Sequence, residues 1–181
     1  MSIGSQNSPG SYSTVQAGTT LIEVLVSLLV LSFGMLGLAG VQGVSLRGNQ
    51  AAYYRTMATT LSVDVIERMR ANIVGVADGD YDDATGAATA TCFTAAGCSS
   101  AQMALQDIFD WQATVAAAPP LGTSVVCLDS TPTDGTAAAN ACDGAGNIYA
   151  IKLWWDDDRD GTADQAFRTT FQPLGLPVAL V

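Results

Sequence analysis

The fold of this chain depends on residues 18–40, which read GTTLIEVLVSLLVLSFGMLGLAG. Small residues open the segment, one carboxylate follows at Glu23, and the chain from Val24 to Leu46 then carries no charged residue. At about 1.5 Å of rise per residue, an α-helix of that length spans the hydrocarbon core of a bilayer, which is about 30 Å thick. The pattern therefore predicts a transmembrane helix.

Glu23 stands at the very start of this apolar run. A carboxylate at membrane depth is costly, so such residues usually have a function and a charged partner. A carboxylate at the headgroup level would instead only interact favourably with the positive end of the helix dipole. The residues alone leave both interpretations open.

Residues 18–26, Gly-Thr-Thr-Leu-Ile-Glu-Val-Leu-Val, resemble the cleavage signal of the type IV pilin and pseudopilin superfamily. In that superfamily, prepilin peptidase cuts after the glycine, here Gly18, and the new first residue, here Thr19, is N-methylated. The resemblance also implies that Glu23, the fifth residue after the cut, neutralises the N-terminal amine of a neighbouring subunit during assembly.

The longer string from Leu21 to Gly40 is similar to the start of minor pilins of the PilV family, the type IV pilus modification proteins. Two features depart from the superfamily pattern. Thr19 stands where Phe or Met is usual, and residues 1–17 contain no basic residue. A secretory signal peptide explains the sequence less well, because the apolar run is too long and no Ala-x-Ala type site lies near a shorter one.

The resemblance implies an organisation in three parts. Residues 1–18 are a leader, residues 19–46 are the transmembrane and assembly part of a long helix, and residues 47–181 are a periplasmic head. The chain would cross the inner membrane once before assembly and lie in the extracellular pilus fibre afterwards. The implied partners are other minor pilins, the major pilin, the inner-membrane assembly platform, prepilin peptidase and a tip adhesin.

The implied function is that of a minor type IV pilin, which helps to prime pilus assembly and sits at or near the fibre tip. Two alternatives remain at this stage. One is a minor pseudopilin of a type II secretion system, which differs in its partners rather than in its architecture. The other is an uncleaved, membrane-anchored calcium-binding module, which would retain residues 1–18.

The composition argues against two classes of function. The 181 residues include 17 acidic and 7 basic side chains, for a net charge of −10, whereas nucleic-acid binding needs a basic face. The sequence has no histidine, so Ser-His-Asp and Cys-His catalysis are excluded. Nothing in the pattern supplies a nucleophile with a tuned base, and we therefore predict a protein that is not an enzyme.

Four cysteines, Cys92, Cys98, Cys127 and Cys142, all follow the predicted membrane helix. An even number of cysteines on the exported side of a membrane predicts disulfides, and four cysteines allow three pairings. We favour the sequential pairing because it closes two short loops. A zinc site is a poor alternative, since the sequence lacks both Cys-x-x-Cys and histidine.

Glycine recurs every third residue at Gly34, Gly37, Gly40 and Gly43. Small residues on one face of a membrane helix allow close packing against another helix. Each glycine also lowers helix stability by about 1 kcal/mol relative to alanine, so the segment could bend or melt when the subunit enters a fibre. The two interpretations are compatible.

The head is predicted to be α+β and pilin-like. Apolar residues at three- and four-residue steps extend the long helix, as an amphipathic half, from Gln50 to about residue 74, and Gly75 is its predicted end. A short helix is predicted at Met103–Val115. Three predicted strands follow, at Thr123–Leu128, Asn147–Trp155 and Gln165–Gln172. The long helix, half transmembrane and half amphipathic, would pack on this small antiparallel sheet.

The loop between the last two strands, residues 156–164, reads DDDRDGTAD. Alternate aspartates followed by Gly161 match the first half of an EF-hand-like calcium loop. The candidate calcium ligands are Asp156, Asp158, Asp160, Thr162 and Asp164. Phe167 stands where the bidentate glutamate of that loop belongs. The loop is therefore either a calcium site, with Ca²⁺ as the one candidate cofactor, or a solvated acidic hairpin.

Overall fold

A computed structural model of the chain describes residues 20–173. Its helices are α1 (Leu21–Ala71), α2 (Ile73–Ala77) and α3 (Ser100–Ala117), with a 3₁₀ turn at Ala90–Phe93 before α3. Its strands are β1 (Thr123–Leu128), β2 (Tyr149–Trp155) and β3 (Gln165–Phe171). The chain divides into two compact units, one that ends at Leu46 and one that begins at Arg47.

The second half of α1 packs on the sheet of the head through one face. Its buried apolar residues recur at three- and four-residue steps, and they are Tyr54, Ala58, Leu61, Val65 and Met69. Arg55, Glu67 and Arg70 lie off this face and are exposed. A helix of period 3.6 buries such a stripe only if another layer covers it, and here the covering layer includes Ile151, Leu153 and Trp155 of β2.

The long helix ends earlier than the sequence predicted. α1 stops at Ala71, and Asn72 caps the short helix α2 by accepting a hydrogen bond from the backbone N–H of Gly75 at 3.3 Å. Gly75 is therefore inside α2 and does not terminate the long helix. A Cβ at Gly75 would lie 2.7 Å from Nδ2 of Asn72, so the capping side chain requires a glycine there.

The sheet has three antiparallel strands in the order β1-β2-β3. Lys152 of β2 is paired with Val125 of β1 on one side and with Arg168 of β3 on the other. A long N-terminal helix with a small antiparallel sheet confirms the α+β, pilin-like fold class. The strands lie at the predicted positions, apart from small differences at two of their ends, the start of β2 and the end of β3.

Strand β2 is buried on both faces, and all seven of its residues are inaccessible to solvent. Tyr149, Ile151, Leu153 and Trp155 belong to the core that includes α1 and α3. Ala150 and Trp154 belong to a second cluster with Val125 and Cys127, on the opposite face. The residues around Ala137 and Cys142 pack against that second cluster. A strand with both faces buried shows no alternation of polar and apolar residues. The sequence therefore could not assign the residues of β2 to one face or the other.

Tyr81 connects the end of α1 to α3. Its buried hydroxyl donates to Oδ2 of Asp107 at 2.6 Å and accepts from Nδ2 of Asn72 at 3.1 Å. Nδ2 of Asn72 also donates to the backbone carbonyl of Ser100 at 2.8 Å. Burial, followed by the hydrogen bond to Asp107, raises the pKa of Tyr81 above its ordinary value of 10.0, so the phenol is neutral in the folded head.

Replacing Tyr81 by Phe should destabilise the head, because Asp107 and Asn72 would each lose a buried partner. We expect the free energy of unfolding to fall by about 1–3 kcal/mol in denaturant titrations followed by tryptophan fluorescence. Tyr53→Phe is the matched control, since Tyr53 is exposed on α1, and its effect should stay within about 0.5 kcal/mol. Equal stability of the two variants would contradict the role of this network.

Candidate functional site

Residues 21–46, which we call the assembly segment, form a helix whose side chains are all exposed. The exposed fractions of its large apolar side chains range from 44% at Val24 to 85% at Leu21. By length and composition, this helix is long and apolar enough to cross a membrane. Within the unit that it forms, no described residue covers its apolar side chains. The segment therefore fits membrane anchoring and incorporation into a pilus.

Glu23 occupies the first turn of α1. The backbone N–H groups of Glu23 and Val24 donate to the carbonyl of Thr20 at 3.0 and 3.3 Å, and the Glu23 side chain is exposed. Among residues 20–173, Glu23 forms no ion pair. The predicted cleavage residues, Gly18 and Thr19, lie outside the described residues.

Each of the four glycines of the assembly segment has open space where a side chain would begin. A Cβ built at Gly34, Gly37, Gly40 or Gly43 would meet no atom within 4 Å. The helix continues through all four without a break. Bending or melting of this segment on assembly stays a prediction.

The head contains two disulfides, Cys92–Cys98 and Cys127–Cys142, which is the sequential arrangement of the three that were open. The first closes the loop that precedes α3. The second joins β1 to the segment that leads back to β2, on the face of the sheet opposite α1. Asp129 lies close to Cys127 and Cys142, but both sulfurs are bonded to each other and are not available as thiolate ligands.

The acidic loop after β2 brings together three of the five candidate calcium ligands. Each of Asp156, Asp158 and Asp160 offers a carboxylate oxygen, and these oxygens lie within 4.8 Å of one another. The backbone of the loop shapes this cluster. Oδ1 and Oδ2 of Asp156 accept from the N–H groups of Arg159 at 2.6 Å and Gly161 at 2.9 Å.

The carboxylate of Asp164, another candidate ligand, is not part of the cluster. The carbonyl of Thr162 accepts a hydrogen bond from the N–H of Asp164 at 3.0 Å. The Asp164 carboxylate accepts from the side chain of Gln165 at 3.2 Å. Phe167 lies in β3 and packs against the main core, so no acidic side chain is supplied from the twelfth position.

Two of the clustered carboxylates, Asp156 and Asp158, differ in acidity. Burial alone would raise the pKa of Asp156, but the N–H groups of Gly161 and Arg159 outweigh it and hold the pKa below its ordinary value of 3.8. The N–H of Asp160 lowers the pKa of Asp158, but lost hydration and the charges of Asp160 and Asp156 outweigh it and raise the pKa. A cation in the loop would relieve that repulsion between carboxylates.

The structure also shows a charged cluster that the sequence analysis missed, formed by Lys152, Asp129 and Asp134. Lys152 is wholly buried, and its Nζ lies 2.5 Å from Oδ2 of Asp129 and 3.1 Å from Oδ1 of Asp134. The hydrogen bond from Lys152 is the main cause that lowers the pKa of Asp134. One signal in the sequence could have revealed the cluster, because Lys152 is its only lysine and stands inside an apolar strand.

Asp156→Asn should loosen the acidic loop, because an amide can accept only one of the two backbone N–H bonds that the carboxylate accepts. We expect a lower melting temperature at neutral pH. The folded-state pKa of Asp156 is depressed, so its contribution is present above the unfolded value near 3.8 and is lost as the pH falls through the folded value. The difference between wild type and variant should therefore vanish in acid.

Asp157→Asn is the control for this prediction, because Asp157 lies in the same loop and does not belong to the carboxylate cluster. Its melting temperature should follow the wild-type value at each pH. A difference between wild type and Asp156→Asn that did not change between neutral pH and pH 3 would contradict the assignment.

Comparison with known proteins gives one finding. Residues 40–109, which include the second half of α1 and the first part of α3, match the Tt1218-like family, described as Type IV pilin Tt1218. No significant match was found among curated proteins or among solved structures. The match, together with the apolar helix and the small antiparallel sheet, supports a pilin-like protein of the type IV pilin superfamily.

Proposed function

We propose that this chain is a minor type IV pilin, similar to the PilV family, that helps to prime pilus assembly and sits at or near the fibre tip. One observation carries the proposal. Along the single helix α1, exposed apolar residues through Leu46 give way to a face that packs into the head from Tyr54 onwards. Such a helix suits a subunit that is held first by lipid and later by the apolar helices of its neighbours.

The role is structural rather than enzymatic. Its partners in this proposal are other minor pilins, the major pilin, the inner-membrane assembly platform, prepilin peptidase and a tip adhesin. The head would face the periplasm until the subunit leaves the inner membrane for the fibre. A pseudopilin of a type II secretion system would use the same helix with different partners.

In this proposal Glu23 sets the axial position of each subunit. An ionised carboxylate and a free N-terminal amine each cost much free energy in an apolar environment, and they cost less when they pair. Cleavage after Gly18 would create that amine at Thr19 of an incoming subunit. A subunit docked at any other height would leave Glu23 buried without a partner.

Glu23→Ala should leave cleavage intact and impair incorporation. N-terminal sequencing should find both wild type and variant starting at methylated Thr19. Loss of one partner of a buried charge pair costs about 3–5 kcal/mol, so the amount of variant in sheared pili should fall by roughly a hundredfold or more. Quantitative immunoblotting of the pilus and membrane fractions measures this ratio.

Glu67→Ala is the matched control, because Glu67 is the only other glutamate and lies exposed in the head. It should incorporate like wild type. Normal incorporation of Glu23→Ala would contradict the assembly role. A wild-type chain that still starts at Met1 in the native envelope would contradict the pilin pathway and favour the uncleaved module.

We also propose that the acidic loop binds Ca²⁺ weakly, through Asp156, Asp158 and Asp160. The convergence of their oxygens within 4.8 Å favours this, and the Asp164 carboxylate, which is outside the cluster, would join only after a rearrangement of the loop. Oxygen ligands suit calcium, and sites of extracellular modules have dissociation constants of about 10⁻⁴–10⁻³ M.

Calcium at about ten times its dissociation constant should stabilise the head by about 1.4 kcal/mol. Thermal unfolding in millimolar calcium and after chelation measures the effect. Asp160→Asn should abolish the difference, while Asp157→Asn should retain it. An unchanged melting temperature of the wild-type protein would refute the calcium site.

A further inference from the structure

Lys152 places a positive charge in the centre of the sheet. It is the only lysine of the sequence, it lies in the middle of the central strand β2, and its side chain is wholly buried. A buried charge without partners is very costly, so such a side chain must be paired. The partners of Lys152 all come from the segment that connects β1 to β2.

Asp129 presents its carboxyl group directly to this amine. Its side chain is also wholly buried. Oδ1 accepts a hydrogen bond from the backbone N–H of Thr131 at 2.9 Å, which fixes the orientation of the group. Oδ2 lies 2.5 Å from Nζ of Lys152, and no other group donates a hydrogen bond to it. The nitrogen is thus in direct contact with the carboxyl group, which is shielded from water.

A second carboxylate, that of Asp134, also contacts the amine. Oδ1 of Asp134 accepts from Nζ of Lys152 at 3.1 Å, and Oδ2 of Asp134 accepts from Oγ1 of Thr131 at 2.9 Å. Nζ also donates to the backbone carbonyl of Asn140 at 2.9 Å. Thr131 therefore positions both carboxylates, through its N–H and through its hydroxyl.

We propose that Lys152 and Asp129 form an intramolecular isopeptide bond, with Asp134 as the catalytic carboxylate. Nζ of Lys152 attacks Cγ of Asp129, the Nζ–Cγ bond forms, and the Cγ–Oδ2 bond breaks. The products are a neutral amide and one water molecule. The ammonium and carboxylate charges cancel in the reaction, and no oxidant, reductant or other co-reactant is needed.

The surrounding groups account for the proton transfers. Asp134 takes one proton from the ammonium, which frees the lone pair for attack. The N–H of Thr131 donates to Oδ1 of Asp129, where negative charge develops in the tetrahedral intermediate. Asp134 then delivers its proton to Oδ2, and a second proton from Nζ completes the departing water. Oδ1 remains as the amide oxygen.

The bond joins the centre of β2 to the residue that follows β1. It lies on the same face of the sheet as the disulfide Cys127–Cys142 and holds the same connecting segment. Unlike the disulfide, it survives reduction. It also removes two opposite charges from the interior of the head, where their desolvation is costly.

Mass spectrometry of the full-length protein, purified in detergent and fully reduced, tests the proposal. The intact mass should be lower than the sequence mass by one water, after allowance for any N-terminal processing. Proteolysis should release one branched peptide that contains both Asp129 and Lys152. After unfolding, an amine-reactive reagent should label only the N-terminal amine. A chain that retains the water and is labelled at Lys152 would overturn the proposal and leave a plain ion pair.

Variants test the formation of the bond and the catalytic role of Asp134 separately. Lys152→Arg keeps the charge and should retain the full sequence mass. Asp129→Asn should lose one ammonia in place of one water. Asp134→Asn keeps both bonding partners and should form the bond at least about tenfold more slowly, in the range that general acid–base catalysis contributes. Asp157→Asn is the control and should lose water like wild type. Complete water loss in freshly purified Asp134→Asn would overturn the catalytic assignment.

Discussion

One helix of this protein, α1, must be stable in two environments, the core of the head and an apolar medium outside it. From Tyr54 to Met69 its apolar residues follow the period that a sheet can cover, and that buried stripe supports the main core of the head. Before Leu46 the apolar residues surround the whole helix, which suits a medium that is apolar on every side. Trp111 shows how far the head depends on the packed half, since its Nε1 donates to the carbonyl of Leu61 on α1 at 2.8 Å.

Much of the fold could be predicted from the sequence, because its strongest patterns are local. The uncharged run, the amphipathic stripe and the strand segments each depend on residues that are close in the chain. The end of α1 could not be predicted, because Asn72 is fixed by Tyr81 and Ser100, which are distant in sequence. The sequence predicted Gly75 as the end of the long helix, which is wrong. Gly75 lies inside α2, where it leaves room for the capping side chain of Asn72.

The candidate sites, like the fold, could be predicted only where the pattern is local in sequence. In the folded loop the carboxylates of Asp156, Asp158 and Asp160 lie together, and the place of Asp164 outside this group depends on the loop conformation, which the sequence pattern does not give. The cluster around Lys152 was missed because its partners come from a Gly-, Ala- and Thr-rich connection that has no periodic pattern. Both features lie on segments joined to β2, the strand that is buried on both faces.

The glycines of the assembly segment have a consequence for what surrounds this helix. A side chain at Gly34, Gly37, Gly40 or Gly43 would touch nothing that the structure describes, and alanine would make the helix more stable. Within residues 20–173, therefore, no contact explains why these positions lack a Cβ. Two explanations remain compatible: close approach of a second molecule, a lipid or another subunit, to the backbone, and a helix that is weak enough to bend or melt on assembly. Both place the reason for these four glycines in the membrane or the fibre rather than in the packing of the isolated chain.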